Sequence, residues 1–258
     1  MSASFRLYSS HLKQYFGIAL KAFLWVLLPV YGWAKYSALM ALISRLAFRE
    51  LINQPESVST AHQRTDARKW RFLIAGILVL LLTLGVVLVY ILVVTVVVGV
   101  LSVSISGLLT SFLGAILVGV LGIVTFVGFI LVLLWLTSRL LVTEVPLAIE
   151  DNLGAVKTIS RSWDLSEKLV WQIIGIVSVA FLITIPIQLL FSVISGVLQT
   201  LLEQTLSANA LIPVGVMSIL LNLLGGAIVA PFWQALKAVV YYDLRSRREG
   251  LGLKLRDR

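Results

Sequence analysis

Apolar residues run in two long blocks along the chain, Phe72 to Ser138 and Leu169 to Leu236. The first contains no Asp, Glu, Lys or Arg, and the second contains only Glu203. A helix crosses hydrocarbon in roughly 20 residues, so each block is long enough for two crossings. Helices are required because backbone groups in lipid must be bonded within their own segment. SVSISG at 102–107 interrupts the first block and predicts a hairpin over 72–138, with basic residues at both ends: ARKWR at 67–71 and Arg139. The second block predicts a hairpin over 169–242. Its loop, EQTLSANALIPVG at 203–215, has no Lys or Arg and is expected outside the cytoplasm. Pro186, within TIPIQ, removes a backbone donor and predicts a kink.

The N-terminal apolar run, 12–48, carries Lys21, Lys35 and Arg45, with PVYG near its middle. One kinked span would put Arg6 and Lys13 outside, against the positive-inside preference. A hairpin turning at Pro29 to Gly32 leaves arms short for a crossing, so it would be shallow or re-entrant. The hairpin is the favoured alternative.

Two polar connectors separate these blocks. In 146–165, Ile149, Leu153, Val156, Ile159 and Trp163 are spaced 4, 3, 3 and 4 apart, which is one face of a helix. Glu150, Asp151, Lys157, Thr158, Arg161 and Ser162 occupy the opposite face, so an amphipathic helix lying in the interface is expected. Pro146 suits its first turn. Asp164 followed by Glu167 resembles a capping box, which places the next helix start near Leu165. The connector 54–70 opens similarly, with Pro55 at a helix start, and the matched separations Glu56–Ala61 and Glu150–Ala155 hint at a parallel repeat.

Beyond the last span, the tail 243–258 is patterned in charge. Tyr241 and Tyr242 suit the headgroup level. Asp243–Arg247 and Arg245–Glu249 are i,i+4 pairs, each worth roughly 0.2–0.5 kcal/mol in an isolated helix, and Gly250 is a natural stop. An interfacial anchor accounts for most of this pattern. With Arg248, Glu150, Arg161 and Trp163, these residues are also the candidate contacts for a partner or for lipid headgroups. Ser111, Ala115, Gly119 and Gly122 are spaced 4, 4 and 3 apart and form a small-residue face. Such a face admits close helix packing, within this chain or with another protein, and internal packing is the favoured use.

Composition agrees with a membrane setting: of 258 residues 59% are hydrophobic and 13% charged, and mean hydropathy is +1.01. The net charge of +9 sits beside apolar runs, where the positive-inside rule explains it. Nucleic acid is not indicated, and membrane lipids are the expected neighbours. The absence of cysteine excludes disulfides and thiol chemistry. No small-residue cleavage site follows the N-terminal segment, so no removable signal peptide is expected.

The closing segment YYDLRSRREGLGL resembles the terminal signature of a bacterial membrane-domain family. That family is found attached to some glycerophosphodiester phosphodiesterases and in related six-helix membrane proteins of unknown function. Tyr241, Tyr242, Asp243, Leu244, Arg245, Arg247, Arg248, Glu249 and Gly250 carry the likeness. A second segment agrees with the family's connector: Glu150, Gly154, Ala155, Arg161, Ser162, Trp163, Leu165, Trp171 and Gly175. Gly252 departs from the pattern, standing where the family often has an acidic residue, and no catalytic phosphodiesterase sequence or metal-binding cluster accompanies the motifs. The resemblance implies a six-helix architecture and carries over no hydrolase activity.

Chemistry is sparse. His11 and His62 lack partners at ligand spacing, and there is no phosphate-binding glycine loop or nucleophile elbow. No enzyme activity, cofactor or metal is expected. Gln188, Gln199, Asn222 and Gln234 are the strong polar residues within spans, and interhelical hydrogen bonding is their ordinary use. The expected fold is an all-α integral membrane protein with about five to six membrane helices, joined by cytoplasmic amphipathic connectors. A bacterial inner membrane or an internal, thylakoid-type membrane is the expected location, with the C-terminus cytoplasmic. The favoured function is a non-enzymatic scaffold or accessory subunit that binds another membrane or cytosolic protein. The alternative is a lipid or small-solute carrier with a cavity between the hairpins, lined by Gln188, Asn222 or Gln234.

Overall fold

The computed structural model describes residues 11–104, 112–150, 152–205 and 211–250. Among them the chain forms nine helices: α1 Leu12–Val26, α2 Tyr31–Leu51, α3 Val58–Asp66, α4 Lys69–Ser104, α5 Phe112–Leu140, α6 Glu144–Ile149, α7 Ala155–Ser166, α8 Val170–Thr205 and α9 Leu211–Glu249. Four segments are long and apolar enough to cross a membrane: Lys69–Leu101, Phe112–Ile149, Val170–Leu202 and Pro213–Glu249. The chain is therefore an all-helical membrane protein. Neither α1 nor α2 is among these four segments. Residues 105–107 of the 102–107 interruption, part of the 203–215 loop and the tail beyond Gly250 lie outside the described residues.

The N-terminal run folds as α1 and α2 packed on each other, with the reversal at Leu27–Val30. Pro29 has no amide donor, and Val30 adopts φ 60°, a strained conformation for a β-branched residue. Gly32 is required beside this turn, because a Cβ there would overlap the Trp25 carbonyl oxygen and come 2.9 Å from Leu28 Cβ. The Trp33 indole closes the turn by donating to the Val26 carbonyl at 3.2 Å.

Helix α2 is the centre of the molecule. Every residue from Ala38 to Phe48 is buried, and the helix packs against α1, α3, α4, α6 and α9. Alanine at 38, 41 and 47 lets these neighbours approach. Larger side chains, Tyr15, Ile43, Phe48, Leu236, Tyr241 and Leu244, fill the remaining space.

The middle of the first hairpin is different. No residue from 76 to 101 or from 115 to 135 is buried, so these helices present apolar flanks outward. They meet where the Tyr90 hydroxyl donates to the Thr125 carbonyl and where a Cβ on Gly128 would lie 3.0 Å from that hydroxyl. The small-residue face is not the internal seam expected. Ala115, Gly119 and Gly122 are exposed, a Cβ on either glycine would meet nothing within 4 Å, and Ser111 lies outside the described residues. Packing instead selects the side of α5 bearing Thr125 and Gly128, where Tyr90 supplies a hydrogen bond.

The connectors also depart from expectation. The single helix over 146–165 is two, α6 and α7, because Glu150 turns to an extended conformation at ψ 124°. Pro146 sits in the third position of α6. The buried face of α7 is its hydroxyl-bearing side, Thr158, Ser162, Leu165 and Ser166, while Val156, on the expected apolar face, is 70% exposed. Thr158 and Ser162 donate to the Thr143 and Arg139 carbonyls, each at 2.7 Å, so they satisfy the free carbonyls where α5 ends. Asp164 lies inside α7, and the next helix begins at Val170 rather than near Leu165. In the first connector the cap is Ser57, whose hydroxyl accepts from the Thr60 amide at 3.2 Å, and Pro55 precedes the helix.

Helix α9 continues without a break from its apolar half through Asp243, Arg245 and Glu249. Gly250 follows in the left-handed region at φ 64°, which suits a helix C-terminus.

Candidate functional site

Two features concentrate polar groups: an ion-pair network at the polar end of the bundle, and a cavity between the helices.

The network is centred on Glu150 and Glu56. Glu150 Oε1 accepts from the Tyr241 hydroxyl at 2.6 Å and from Arg161 at 3.3 Å, and Arg245 lies 3.9 Å away. Glu249 pairs with Arg161 and with Arg245 at 3.0 Å, closing a ring of two carboxylates and two guanidiniums. Arg245 also stands over the Tyr241 ring at 5.7 Å. Burial opposes the charge on Arg161, yet Glu150 and then Glu249 outweigh it and raise its pKa above the ordinary arginine value. Farther along α9, Arg247 pairs with Asp243 at 2.9 Å and Arg248 with Glu167 at 3.4 Å.

The candidate contact residues are thus brought together, but their charges are taken up by one another. Tyr241 is fully buried, and Tyr242 packs edge-on to Phe48 with centroids 6.4 Å apart. Trp163 stacks against the end of α5, where Arg139 lies 4.9 Å over its ring and Trp135 meets it edge-on. Together these contacts form a latch holding the end of α9 to α7. The helix-face residues Ala115, Gly119 and Gly122 lie elsewhere, on the outside of α5.

Glu56 has the corresponding role in the preceding connector. Arg45, 1% exposed, donates to it through Nε at 2.7 Å and Nη2 at 3.3 Å, and through Nη1 to the Ala148 carbonyl. Arg49 and Arg64 approach the same carboxylate at 3.8 and 3.5 Å. Arg45 is a residue that sequence reasoning missed. The available signal was an arginine inside an otherwise apolar helical run, which requires a partner.

The cavity has a volume of about 500 Å³. Its apolar wall includes Phe23, Val79, Phe181, Val229 and Trp233, and its polar groups include Tyr36, Glu144, Gln188, Gln234 and Lys237. Lys237 Nζ lies 3.2 Å from Glu144 Oε1. Gln234 is held by the Ser44 hydroxyl, which donates to its Oε1 at 2.6 Å. A second cavity of about 140 Å³ is lined by Gln188, Asn222 and Gly226 among others; Gln188 and Gly226 border both. Asn222 donates to the Ser195 hydroxyl at 3.1 Å, linking α8 to α9. Two helices lining these spaces carry interior prolines, Pro186 in α8 and Pro231 in α9, each leaving a backbone carbonyl without its helical donor. Gln188, Asn222 and Gln234 were legible in the sequence as polar residues within spans. Glu144 and Lys237 were not, because they sit at the margins of apolar blocks and read there as interfacial charges.

A family model described as a domain of unknown function (DUF7847) matches residues 13–244. That match names no activity and draws no link to glycerophosphodiester phosphodiesterase membrane domains. No curated protein and no solved structure matches the chain.

Proposed function

The chain belongs to the DUF7847 family, and from that premise we propose that it is a non-enzymatic carrier of small amphiphiles, held in the cavity between its helices. The observation that carries this reading is the cavity itself, about 500 Å³, with apolar walls and the Glu144–Lys237 pair on its lining. Small-molecule sites have this composition: mostly apolar lining with a few placed polar groups. From Gly226 to Lys237 the wall formed by α9 extends roughly 16 Å, at 1.5 Å per residue. An extended apolar tail therefore fits beside Val229, Ala230 and Trp233, with its polar head at Gln234 and Lys237. The prolines of α8 and α9 supply points where either helix can bend as the cavity opens.

The basic residues of α2, α3, α7 and α9 gather at one end of the bundle, and the positive-inside preference supports a cytoplasmic setting for that end and for the C-terminus. A bacterial inner or thylakoid-type membrane is the proposed location, with the α1–α2 hairpin re-entrant from the cytoplasmic face.

A second reading, a scaffold or accessory subunit for another membrane protein, is favoured by the first hairpin. Its apolar flanks and the open face of Ala115, Gly119 and Gly122 leave room for a partner helix.

One experiment separates the two. The tagged protein is purified in gentle detergent from its native membrane, with mass spectrometry of proteins and lipids in the same fraction, beside a Gly76→Phe variant. Gly76 lines the cavity, and a Cβ there meets nothing within 4 Å, so a phenylalanine side chain starts from open space and occupies part of the cavity. The carrier reading expects an enriched amphiphile that Gly76→Phe loses. A stoichiometric protein partner, with no amphiphile in either sample, would replace it with the scaffold reading.

A further inference from the structure

The polar end of the cavity holds opposite charges, Glu144 and Lys237. Glu144 Oε1 is engaged by Lys237 at 3.2 Å. The Glu144 side chain is 39% exposed and lines the cavity, so its carboxylate can accept a further donor from a ligand there. Lys237, one turn from Gln234 on the same lining, offers a positive charge to an anionic oxygen. The two groups together complement a headgroup that carries both signs.

We propose that this end of the cavity selects a zwitterionic amphiphile whose headgroup pairs a protonated amine with an anionic oxygen, as phosphatidylethanolamine does. The amine donates to the Glu144 carboxylate and the phosphate oxygen lies against Lys237, while the acyl chain follows the apolar wall of α9. The selection requires N–H groups. A quaternary ammonium of similar size and charge has none to donate, and an anionic glycerol headgroup leaves Glu144 facing like charge. This inference rests on the carrier reading above.

The test reconstitutes the full-length protein into vesicles of equal parts phosphatidylethanolamine, phosphatidylcholine and phosphatidylglycerol. The protein is then re-extracted and the retained lipid quantified by mass spectrometry. Wild-type protein is expected to retain phosphatidylethanolamine over phosphatidylcholine by roughly tenfold, the ratio one charge-assisted hydrogen bond supplies. Glu144→Gln should reduce that ratio below about twofold, because the amide keeps the size but loses the charge. Glu144→Asp, which keeps the carboxylate, should preserve part of the preference and serves as the folding control. Lys237→Gln should lower retention of all three phospholipids. Free phosphoethanolamine, added as competitor, separates the two sources of this headgroup chemistry. Failure to displace the lipid assigns recognition to the whole amphiphile, and displacement as effective as that by lipid assigns it to a soluble zwitterion of the same chemistry. Equal retention of phosphatidylethanolamine and phosphatidylcholine by wild type, or a preference unchanged in Glu144→Gln, would overturn this inference and leave the carrier reading standing. No retained lipid in wild type, with no difference from Gly76→Phe, would overturn both.

Discussion

The Tyr241 hydroxyl donates to Glu150 at 2.6 Å, joining positions 91 residues apart. This bond fastens the last helix to the start of the second connector, and it turns the charged end of α9 from a free tail into a structural element of the folded bundle. A buried hydrogen bond to a charged acceptor contributes about 1.5–3 kcal/mol. Tyr241→Phe should therefore lower thermal stability in detergent by that amount, whereas Tyr242→Phe, which keeps its ring on Phe48, should change it by less than about 0.5 kcal/mol. Equal effects would mean that the latch contributes no more than ordinary surface packing.

The latch also changes how charge reversal of the tail must be read. Arg245, Arg247 and Arg248 face Glu249, Asp243 and Glu167 respectively, so replacing all three with Glu sets like charges against each partner. The triple reversal is expected to melt early and to lose any bound partner for that reason alone. Arg247→Gln breaks a pair whose side chains are 52% and 48% exposed and an exposed 3.5 Å hydrogen bond to Gln172, and should shift the melting transition by less than about 1 kcal/mol equivalent. Comparing both variants in the same detergent separates a docking role from a folding role.

Among the described residues Arg45 and Glu56 form the most buried ion pair, with side chains 1% and 12% exposed. Removing one partner strands a desolvated charge and costs about 3–5 kcal/mol. Glu56→Gln is expected to fall in that range, while the double change Arg45→Met with Glu56→Gln recovers much of the loss because no buried charge remains. A double-mutant cycle on unfolding in detergent reads the coupling directly. Additive effects would show that the two residues act independently.

Lys35 and Asp66 meet at 2.6 Å between α2 and α3. Burial alone would raise the Asp66 carboxyl, but the hydrogen bond and charge of Lys35, then Lys69, win and hold it below its ordinary value of 3.8. A depressed folded pKa means the unfolded state binds the proton first. The pair's stabilisation is thus fully present above about 3.8 and is lost as pH falls through the folded value. Wild type should be more stable than Asp66→Asn at pH 7, and the gap should close only below pH 4. A gap that already closes between pH 7 and pH 5 would assign the effect to another group.

Gly32 tests the N-terminal hairpin. Any Cβ there meets the Trp25 carbonyl, so Gly32→Ala should open the Leu27–Val30 turn, seen as faster hydrogen exchange in α1 than in α9. Gly119→Ala, where a Cβ has open space, should leave exchange unchanged. Equal behaviour of the two variants would place the close contact outside the folding of the hairpin.

Hydropathy by itself determined that this is a helical membrane protein with two long apolar blocks, each holding two of its four long apolar helices, and glycine at 250 marked the end of the last helix; the five to six membrane helices expected exceed those four. These are properties of single segments, set by the cost of exposing backbone and charge to hydrocarbon, and they need no neighbour to be decided. Which face of each helix packs was decided only by the tertiary structure. In α7 the apolar stripe was legible, yet Thr158 and Ser162 are buried, because unpaired carbonyls at the end of α5 need donors more than Val156 needs cover. The Ala115–Gly122 face was legible too, but Tyr90 draws α5 to its other side. Partners for Glu144 and Tyr241 lie about 90 residues away along the chain, and no local pattern records them. Charge placement along the sequence indicates where water and lipid meet. The pairing that builds the latch and the cavity depends on which helix ends the folded bundle sets within a few ångströms of one another.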